Sequence, residues 1–467
     1  MHPETVRRRA AGSVLALVGR SALARVIALA GMVLLARLLT PAQFGVWELI
    51  AFPTLLFTQI SEAGLPEALA RLSGEPDARD LGAAAAARLS LALALAALTW
   101  IVAPGWAALY GLSAEAVDAF RLLALMHPVA ALGTAPGALL LRELQFGRMA
   151  LAEVAAALAN QVAAVSLAAL GMGVGSLAAG ALASAVVGTA ALWLMRPGPL
   201  RLAWSWARAL DLLRFGGPYT LQALVHLMRE GVIASVGGAR LPLAAVGYQR
   251  WAYNLARVPR VVAQAVHQVG LPAFARLQDQ PPALGATATD ALRLVATVTF
   301  PLLAATAALA PWGVPAVFGE AWAGASPALT LFALNMGADS VAAVLLPLLD
   351  ATGRVWATLG LSAVWAALTW LAALALAGRV ADEIALAWAF LLGTLAATAA
   401  LALVSRRAAR VAFGRALGVP LAASLAMGAG LRAVGPAVGA NLPGLAALTA
   451  AALALYAAMV VIFVRRI

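Results

Sequence analysis

The sequence predicts an all-α, polytopic membrane protein of about fourteen transmembrane helices, arranged as two pseudo-symmetric six-helix lobes plus two C-terminal helices. Three observations predict it. The chain is 63% hydrophobic and 11% charged, with a mean hydropathy of +0.92, whereas soluble domains run at roughly 45–50% and 25%. Apolar runs of about 20 residues, the length that crosses a bilayer, recur from one end of the chain to the other. Arginine, which accounts for all 32 basic residues, crowds into alternate gaps between those runs. A soluble globule is excluded.

The first run, 12–37, follows the charged head Arg7-Arg8-Arg9. Its apolar stretch continues past Arg20 and Arg25 to Leu38 without a small-residue cleavage site, so it reads as an uncleaved span and not a signal peptide. Thr40-Pro41 separates it from 43–62, and Ala103-Pro104-Gly105 closes 82–103 ahead of 118–141. The runs 149–170 and 174–195 are joined by Gly171-Met172-Gly173-Val174-Gly175, which follows no strand and therefore reads as a tight turn, not a phosphate loop. Ser176, Gly180, Ser184 and Gly188 recur every four residues, forming a small-residue face for close helix packing. Pro197-Gly198-Pro199 ends the first lobe, 1–200. The second, 201–405, holds 211–236, 244–273, 290–310, 325–348, 355–377 and 384–404, with breakers at Pro281-Pro282 and Ala310-Pro311. Spans 416–434 and 443–464 form the remaining stretch, 406–467, with no readable role beyond membrane packing.

Orientation follows from the arginines. With the amino terminus inside, 21 of them fall in cytoplasmic loops and span ends and only Arg37, Arg240, Arg379 and Arg432 on the other side. Cytoplasmic loops carry the excess of basic residues, so both termini are placed in the cytoplasm. The lobes are suggested by a faint parallel repeat: at an offset of 202 residues Leu39, Ala42 and Gly45 superpose on Leu241, Ala244 and Gly247.

A net charge of +12 does not point to nucleic acid, because the basic residues alternate with apolar runs and form no stripe on a soluble face. The absence of cysteine excludes disulfides, thiol catalysis, cysteine zinc sites and iron–sulfur clusters. His2, His127, His226 and His267 lack metal-ligand spacing, and there is no serine elbow or Walker loop, so no catalytic residue, metal or cofactor is assigned and the chain is not expected to be an enzyme.

Chemistry is expected where ionisable residues interrupt the spans, each costing about 2.5–3.5 kcal/mol on insertion scales and normally facing a cavity or a partner. Arg20 and Arg25 lie five residues apart in the first span. Arg25 lines a polar cavity or joins an ion pair, and Arg20 does so or snorkels to the interface. In the seventh span Tyr219, Gln222, His226, Arg229 and Glu230 fall within about a 100° arc. The eighth repeats the pattern with Arg250, Asn254, Arg257, Arg260, Gln264 and His267. Two such helices in succession suggest a shared aqueous vestibule, with Arg229 and Arg260 either lining it or anchoring span ends. Glu48, Glu230 and Asp339 are the acidic candidates for lobe–lobe gating or coupling. At the repeat offset Glu48 corresponds to Arg250, which would place opposite charges across the pseudo-twofold axis. Guanidinium stays charged when poorly hydrated and binds phosphate or carboxylate oxygens bidentately, so a basic central cavity suits an anionic head group on an apolar tail that remains in lipid. Arg25, Arg250 and Arg257 are the first choices to hold it, followed by Arg20 and Arg229, with His226, Gln222 and Asn254 lining the same faces.

The stretch Leu35-Ala36-Arg37-Leu38-Leu39-Thr40-Pro41-Ala42-Gln43-Phe44-Gly45 resembles the end of the first span and the following turn of bacterial Wzx-type polysaccharide transporters, within the multidrug/oligosaccharidyl-lipid/polysaccharide exporter superfamily. The resemblance continues through Glu62-Ala63-Gly64-Leu65, Arg142-Glu143-Leu144-Gln145-Phe146, Gly247-Tyr248-Gln249-Arg250-Trp251-Ala252-Tyr253-Asn254-Leu255, Leu271-Pro272-Ala273-Phe274-Ala275-Arg276-Leu277 and Val317-Phe318-Gly319-Glu320-Ala321-Trp322. It implies a multi-pass protein of the bacterial inner membrane that flips undecaprenyl-diphosphate-linked oligosaccharide or polysaccharide repeat units to the outer leaflet by alternating access. Lipopolysaccharide or exopolysaccharide synthesis is the implied setting. Its implied partners are the lipid-linked anionic saccharide, membrane lipid, glycosyltransferases and a polymerase. The coupling ion, H+ or Na+, is not readable. The alternatives are a flippase for the lipid-linked peptidoglycan precursor, a drug or cation antiporter of the same superfamily, whose cavity should be acidic, and an integral-membrane glycosyltransferase or polymerase, which the short extramembrane loops disfavour.

Overall fold

A computed structural model of the chain describes residues 26–62, 65, 69, 78–143, 145–197, 205, 220–221, 224–225, 227–439 and 441–464. Among them the regular structure is helical. Ten helices are long and apolar enough to cross a membrane, or eleven if one bent pair counts as a span. The chain divides into two compact units, Met1–Leu227 and Met228–Ile467.

In the first unit the described helices are α1 (Val26–Leu38), α2 (Pro41–Glu62), α3 (Ala78–Leu109), α4 (Ala114–Ala124), α5 (Met126–Ala131), α6 (Thr134–Arg142), α7 (Phe146–Ala169) and α8 (Gly173–Met195). The predicted span 118–141 is α4 to α6, bent by 50° between Ala131 and Thr134. Proline explains the bend. Pro136 has no N–H to give Leu132, and the Leu132 carbonyl instead accepts from Trp193 Nε1 at 2.9 Å. The glycine-rich turn before α8 is tight, as expected: Gly171 and Gly173 have φ of 84° and 48°. The small-residue face of α8 lies against α7, since a Cβ on Gly180 would come within 2.8 Å of that of Ala164 and one on Gly188 within 3.2 Å of that of Ala156. Ile50, Ala103, Phe120, Leu123, Val174 and Ala178 close a core among α2, α3, α4 and α8.

The second unit comprises α9 (228–240, whose Ile233–Gly237 stretch is π-helical), α10 (Leu243–Ala256), a 3₁₀ turn (Val258–Arg260), α11 (Val261–Ala275), α12 (Pro281–Phe318), a 3₁₀ turn (Glu320–Ala325), α13 (Ser326–Ala351), α14 (Val355–Leu376), α15 (Ala385–Ser405), α16 (Phe413–Val438) and α17 (Leu442–Val464). α13 is the central post, with Val341–Leu345, Leu348 and Leu349 buried against α11, α12, α14 and α15. The C-terminal pair belongs to this unit: Met427 and Leu431 of α16 and Tyr456 and Val460 of α17 pack on Ala305 and Ala308 of α12. The offset of 202 residues reappears as geometry. The helix ends at Leu38 and resumes at Pro41, and again ends at Arg240 and resumes at Leu243.

Two expected breaks are not breaks. Pro104 lies inside α3, and α12 runs through Pro311 and Pro315 to Phe318. Proline removes one backbone donor and bends a helix, but inside an apolar bundle a neighbouring side chain can take up the freed carbonyl. Here Thr330 Oγ1 donates to Ala307 O, four residues before Pro311, at 3.2 Å. In the opposite direction, the run 244–273 is interrupted at Val258–Arg260 by the turn that contains Pro259.

Candidate functional site

α9 leaves its α-helical path just after Arg229-Glu230: Gly231 forms a turn and the π-helical stretch begins at Ile233. Such bulges re-aim side chains and are frequent at functional sites. α10 carries Arg250 and Tyr253, and Arg257 caps its end in helical conformation; the three- and four-residue spacing aligns them on one face. The Pro259 turn then throws Arg260 toward α13 instead of letting it continue along α10.

These elements meet in two linked ion-pair groups. In the inner group Asp339 of α13, only 5% exposed, receives Arg229 Nη1 on Oδ1 at 3.2 Å and pairs through Oδ2 with Arg260 Nη2. The Arg229 guanidinium also lies 4.1 Å from the ring centroid of Trp365 on α14, whose Nε1 is tied to Thr394 Oγ1 at 3.2 Å. In the outer group Glu230 accepts from Arg257 Nη1 at 3.1 and 3.3 Å, from Arg250 Nη1 at 3.5 Å and from the Tyr253 hydroxyl at 3.3 Å. Tyr253 is held in turn by Phe332 and Phe390, each with its ring centroid 5.3 Å away, and both outer arginines lie over its ring at 5.4 and 5.7 Å. Four guanidinium groups thus share two carboxylates. Arginine is the charged residue best suited to such partly dry surroundings. Arg257, at 36% side-chain exposure, is the most open of the four.

An apolar groove of about 510 Å³ is lined by Leu255, Val258, Pro259 and Val262, by α12 from Val298 to Phe318, and by Leu329 and Thr449; none of the cluster's ionic side chains lines it. Leu255, Val258 and Pro259 interleave in sequence with Arg257 and Arg260, so the same turn presents charge and an apolar wall.

Of the residues expected from sequence, Arg229, Arg250, Arg257, Glu230 and Asp339 come together here, and Arg260 joins them as an inner-group partner and not as a span-end anchor. Glu230 and Asp339 have arginine partners within their own unit. Asn254 is exposed on α10. Arg20, Arg25, Gln222 and His226 lie outside the described residues. Glu48 is buried in α2, within the first unit. That unit holds its own polar group, in which Arg88 pairs with Glu62 at 3.0 Å and donates to Thr134 Oγ1 at 3.2 Å, near the buried His127. Tyr253 and Trp365 were not foreseen. An aromatic residue three and four positions from two arginines on one helix is the signal for Tyr253, whereas Trp365 comes from a distant helix and left none.

Residues 34–327 match the family model described as polysaccharide biosynthesis protein. The chain is 27% identical over 261 residues to the lipopolysaccharide biosynthesis protein WzxC of Escherichia coli (strain K12), a match that spans 55% of this chain and about half, 52%, of that relative. It is 26% identical over 355 residues to the succinoglycan biosynthesis transport protein ExoT of Rhizobium meliloti (strain 1021), covering 76% of this chain and 71% of that one. Among solved structures it is similar to the lipid II flippase MurJ in an inward closed conformation, with a TM-score of 0.80, 14% identity, and coverage of 96% of this chain and 99% of the other. At that identity the likeness bears on the fold.

Proposed function

The chain belongs to the polysaccharide biosynthesis protein family, and from that premise we propose that it is a flippase that carries undecaprenyl-diphosphate-linked oligosaccharide or polysaccharide repeat units from the cytoplasmic to the outer leaflet by alternating access. The observation that supports this reading best is the cluster of four arginines around Glu230 and Asp339. Phosphates between a lipid and a sugar carry negative charge at neutral pH and accept paired guanidinium hydrogen bonds. The prenyl tail needs an apolar path next to them. Arg257 meets the head group first because it is the most open, with Arg250 behind it. A site built around four arginines argues against a carrier of organic cations, whose site needs net negative charge. Placement in a bacterial inner membrane with both termini cytoplasmic, and work alongside glycosyltransferases and a polymerase, belong to the same proposal.

The test is reconstitution of the full chain in liposomes with a fluorescent diphosphate-linked oligosaccharide in the inner leaflet, read by its loss to an impermeant quencher outside. Movement above protein-free liposomes that Arg257→Ala abolishes is expected. Movement no faster than in protein-free liposomes, or movement only of the peptidoglycan precursor supplied in parallel, overturns the reading.

A further inference from the structure

Arg432 stands inside a span, six residues or about 9 Å short of the end of α16. A charge at such a depth normally meets a partner or a cavity. Its Nη1 donates to the Ala308 carbonyl of α12 at 3.5 Å, and its guanidinium lies 5.3 Å from the ring centroid of Trp312. Among the described residues it pairs with no carboxylate. What adjoins it is a groove of about 760 Å³ walled by α12, α13, α15 and α16, in which Arg432 is the one charged lining residue. The walls are otherwise mostly apolar, and Leu334, Trp388 and Leu425 among them are exposed, as apolar side chains are where a span meets lipid tails. From Ser424 to Arg432 the groove follows α16 for eight residues, about 12 Å, the reach of the upper part of an acyl chain.

We infer that this groove seats one phospholipid, with its phosphate on Arg432 and an acyl chain along Leu425, Gly428 and Ala429, and that the lipid ties the C-terminal helix pair to the rest of its unit. A guanidinium binds phosphate oxygens through paired hydrogen bonds and keeps its charge when poorly hydrated. One guanidinium suits the single negative charge of a phosphodiester, whereas a diphosphate would leave a charge unmet. No carboxylate lines the groove to compete for the cation. The tie follows from the walls. The core that seats α16 and α17 is completed by α12, while the groove adds Leu331 and Leu334 of α13 and Trp388 of α15, so a chain lying in it touches α16 and these helices together. None of the ionic side chains around Glu230 and Asp339 lines this groove, and the inference does not depend on the flippase reading.

The test presents the purified full chain, in maltoside micelles, with phosphatidylglycerol carrying a diazirine in one acyl chain, or with the diacylglycerol that carries the same chain. After photolysis, labelling of α12 and α16 peptides around Ala307 and Gly428 should be about tenfold greater with the phospholipid, the size expected for one charge-assisted hydrogen bond. Arg432→Gln should bring it down to the diacylglycerol level. Ala429→Trp, which fills the groove from an exposed position, should remove both labels. Unlabelled phosphatidylglycerol should raise the unfolding midpoint of wild type and leave that of Arg432→Gln unchanged. Equal labelling by the two probes, or labelling that survives both substitutions, overturns the site. A midpoint that does not rise in wild type, or rises equally in Arg432→Gln, overturns the tie. Displacement of the label by citronellyl-diphosphate-N-acetylglucosamine reassigns the groove to a diphosphate-linked lipid and overturns the proposal, whereas failure of the chain to move such a lipid across liposomes leaves it standing.

Discussion

Asp339 and Arg257 mark the extremes of burial in the ion-pair cluster, and their substitutions should fail differently. Removing a buried carboxylate strands its partners as uncompensated charges, which costs about 3–5 kcal/mol. Asp339→Ala should therefore lower the unfolding midpoint in detergent sharply, because two arginines lose their shared acceptor. Arg257 is 36% exposed, and Arg257→Ala should fold near the wild-type midpoint. Its loss should instead appear as roughly 10- to 100-fold weaker binding of the diphosphate-linked probe, the equivalent of about 1.5–3 kcal/mol for a charged hydrogen bond. Much at this scale was legible in the sequence. The arginines announce themselves as charges inside apolar runs, and Arg250 and Arg257 stand out by helical spacing. Which carboxylate each would meet was not legible. Asp339 is more than 100 residues from Arg229, and nothing in local pattern links them.

At the scale of the helix, prolines inside the spans follow one rule. Each frees the carbonyl four residues back, and in five cases a side chain from another segment takes it. Trp106 donates to Leu49 ahead of Pro53 at 3.0 Å, Trp193 to Leu132 ahead of Pro136 at 2.9 Å, and Thr330 to Ala307 ahead of Pro311 at 3.2 Å. Tyr456 donates to Thr297 ahead of Pro301 at 3.0 Å, and His267 Nδ1 lies 3.0 Å from Ala343 O ahead of Pro347. Tyr456→Phe should cost about 0.5–1.5 kcal/mol in wild type and much less in a Pro301→Ala background, where the backbone N–H returns. A double-mutant cycle on the unfolding midpoint reads that coupling, and additive effects would show that the hydroxyl is not replacing the missing donor. The same rule explains why Ala310-Pro311 misleads as a boundary. Proline looks like a terminator in a one-dimensional reading, and what lets the helix continue is Thr330 on a different helix.

At the scale of the whole molecule, the loop arginines carry the expectation of which way the chain crosses, whereas packing decides which helices form a body. The C-terminal pair could be counted from hydropathy, but its seat on Ala305 and Ala308 of α12 depends on side chains more than 100 residues away and was not readable. Because the chain lacks cysteine, single substitutions map its crossings directly. In spheroplasts, Arg379→Cys, in an exposed turn, should react with an impermeant maleimide, and Arg407→Cys should react only after permeabilisation. The reverse pattern would invert the proposed orientation. The link between Tyr456 and Thr297 also has a consequence in time. The two residues are 159 positions apart, and a ribosome adding roughly 5–20 residues per second makes the phenol about 10–30 s after the carbonyl it serves. For that interval α12 enters the membrane with an open oxygen at Thr297. Water or the insertion machinery must shelter it until the last helix arrives.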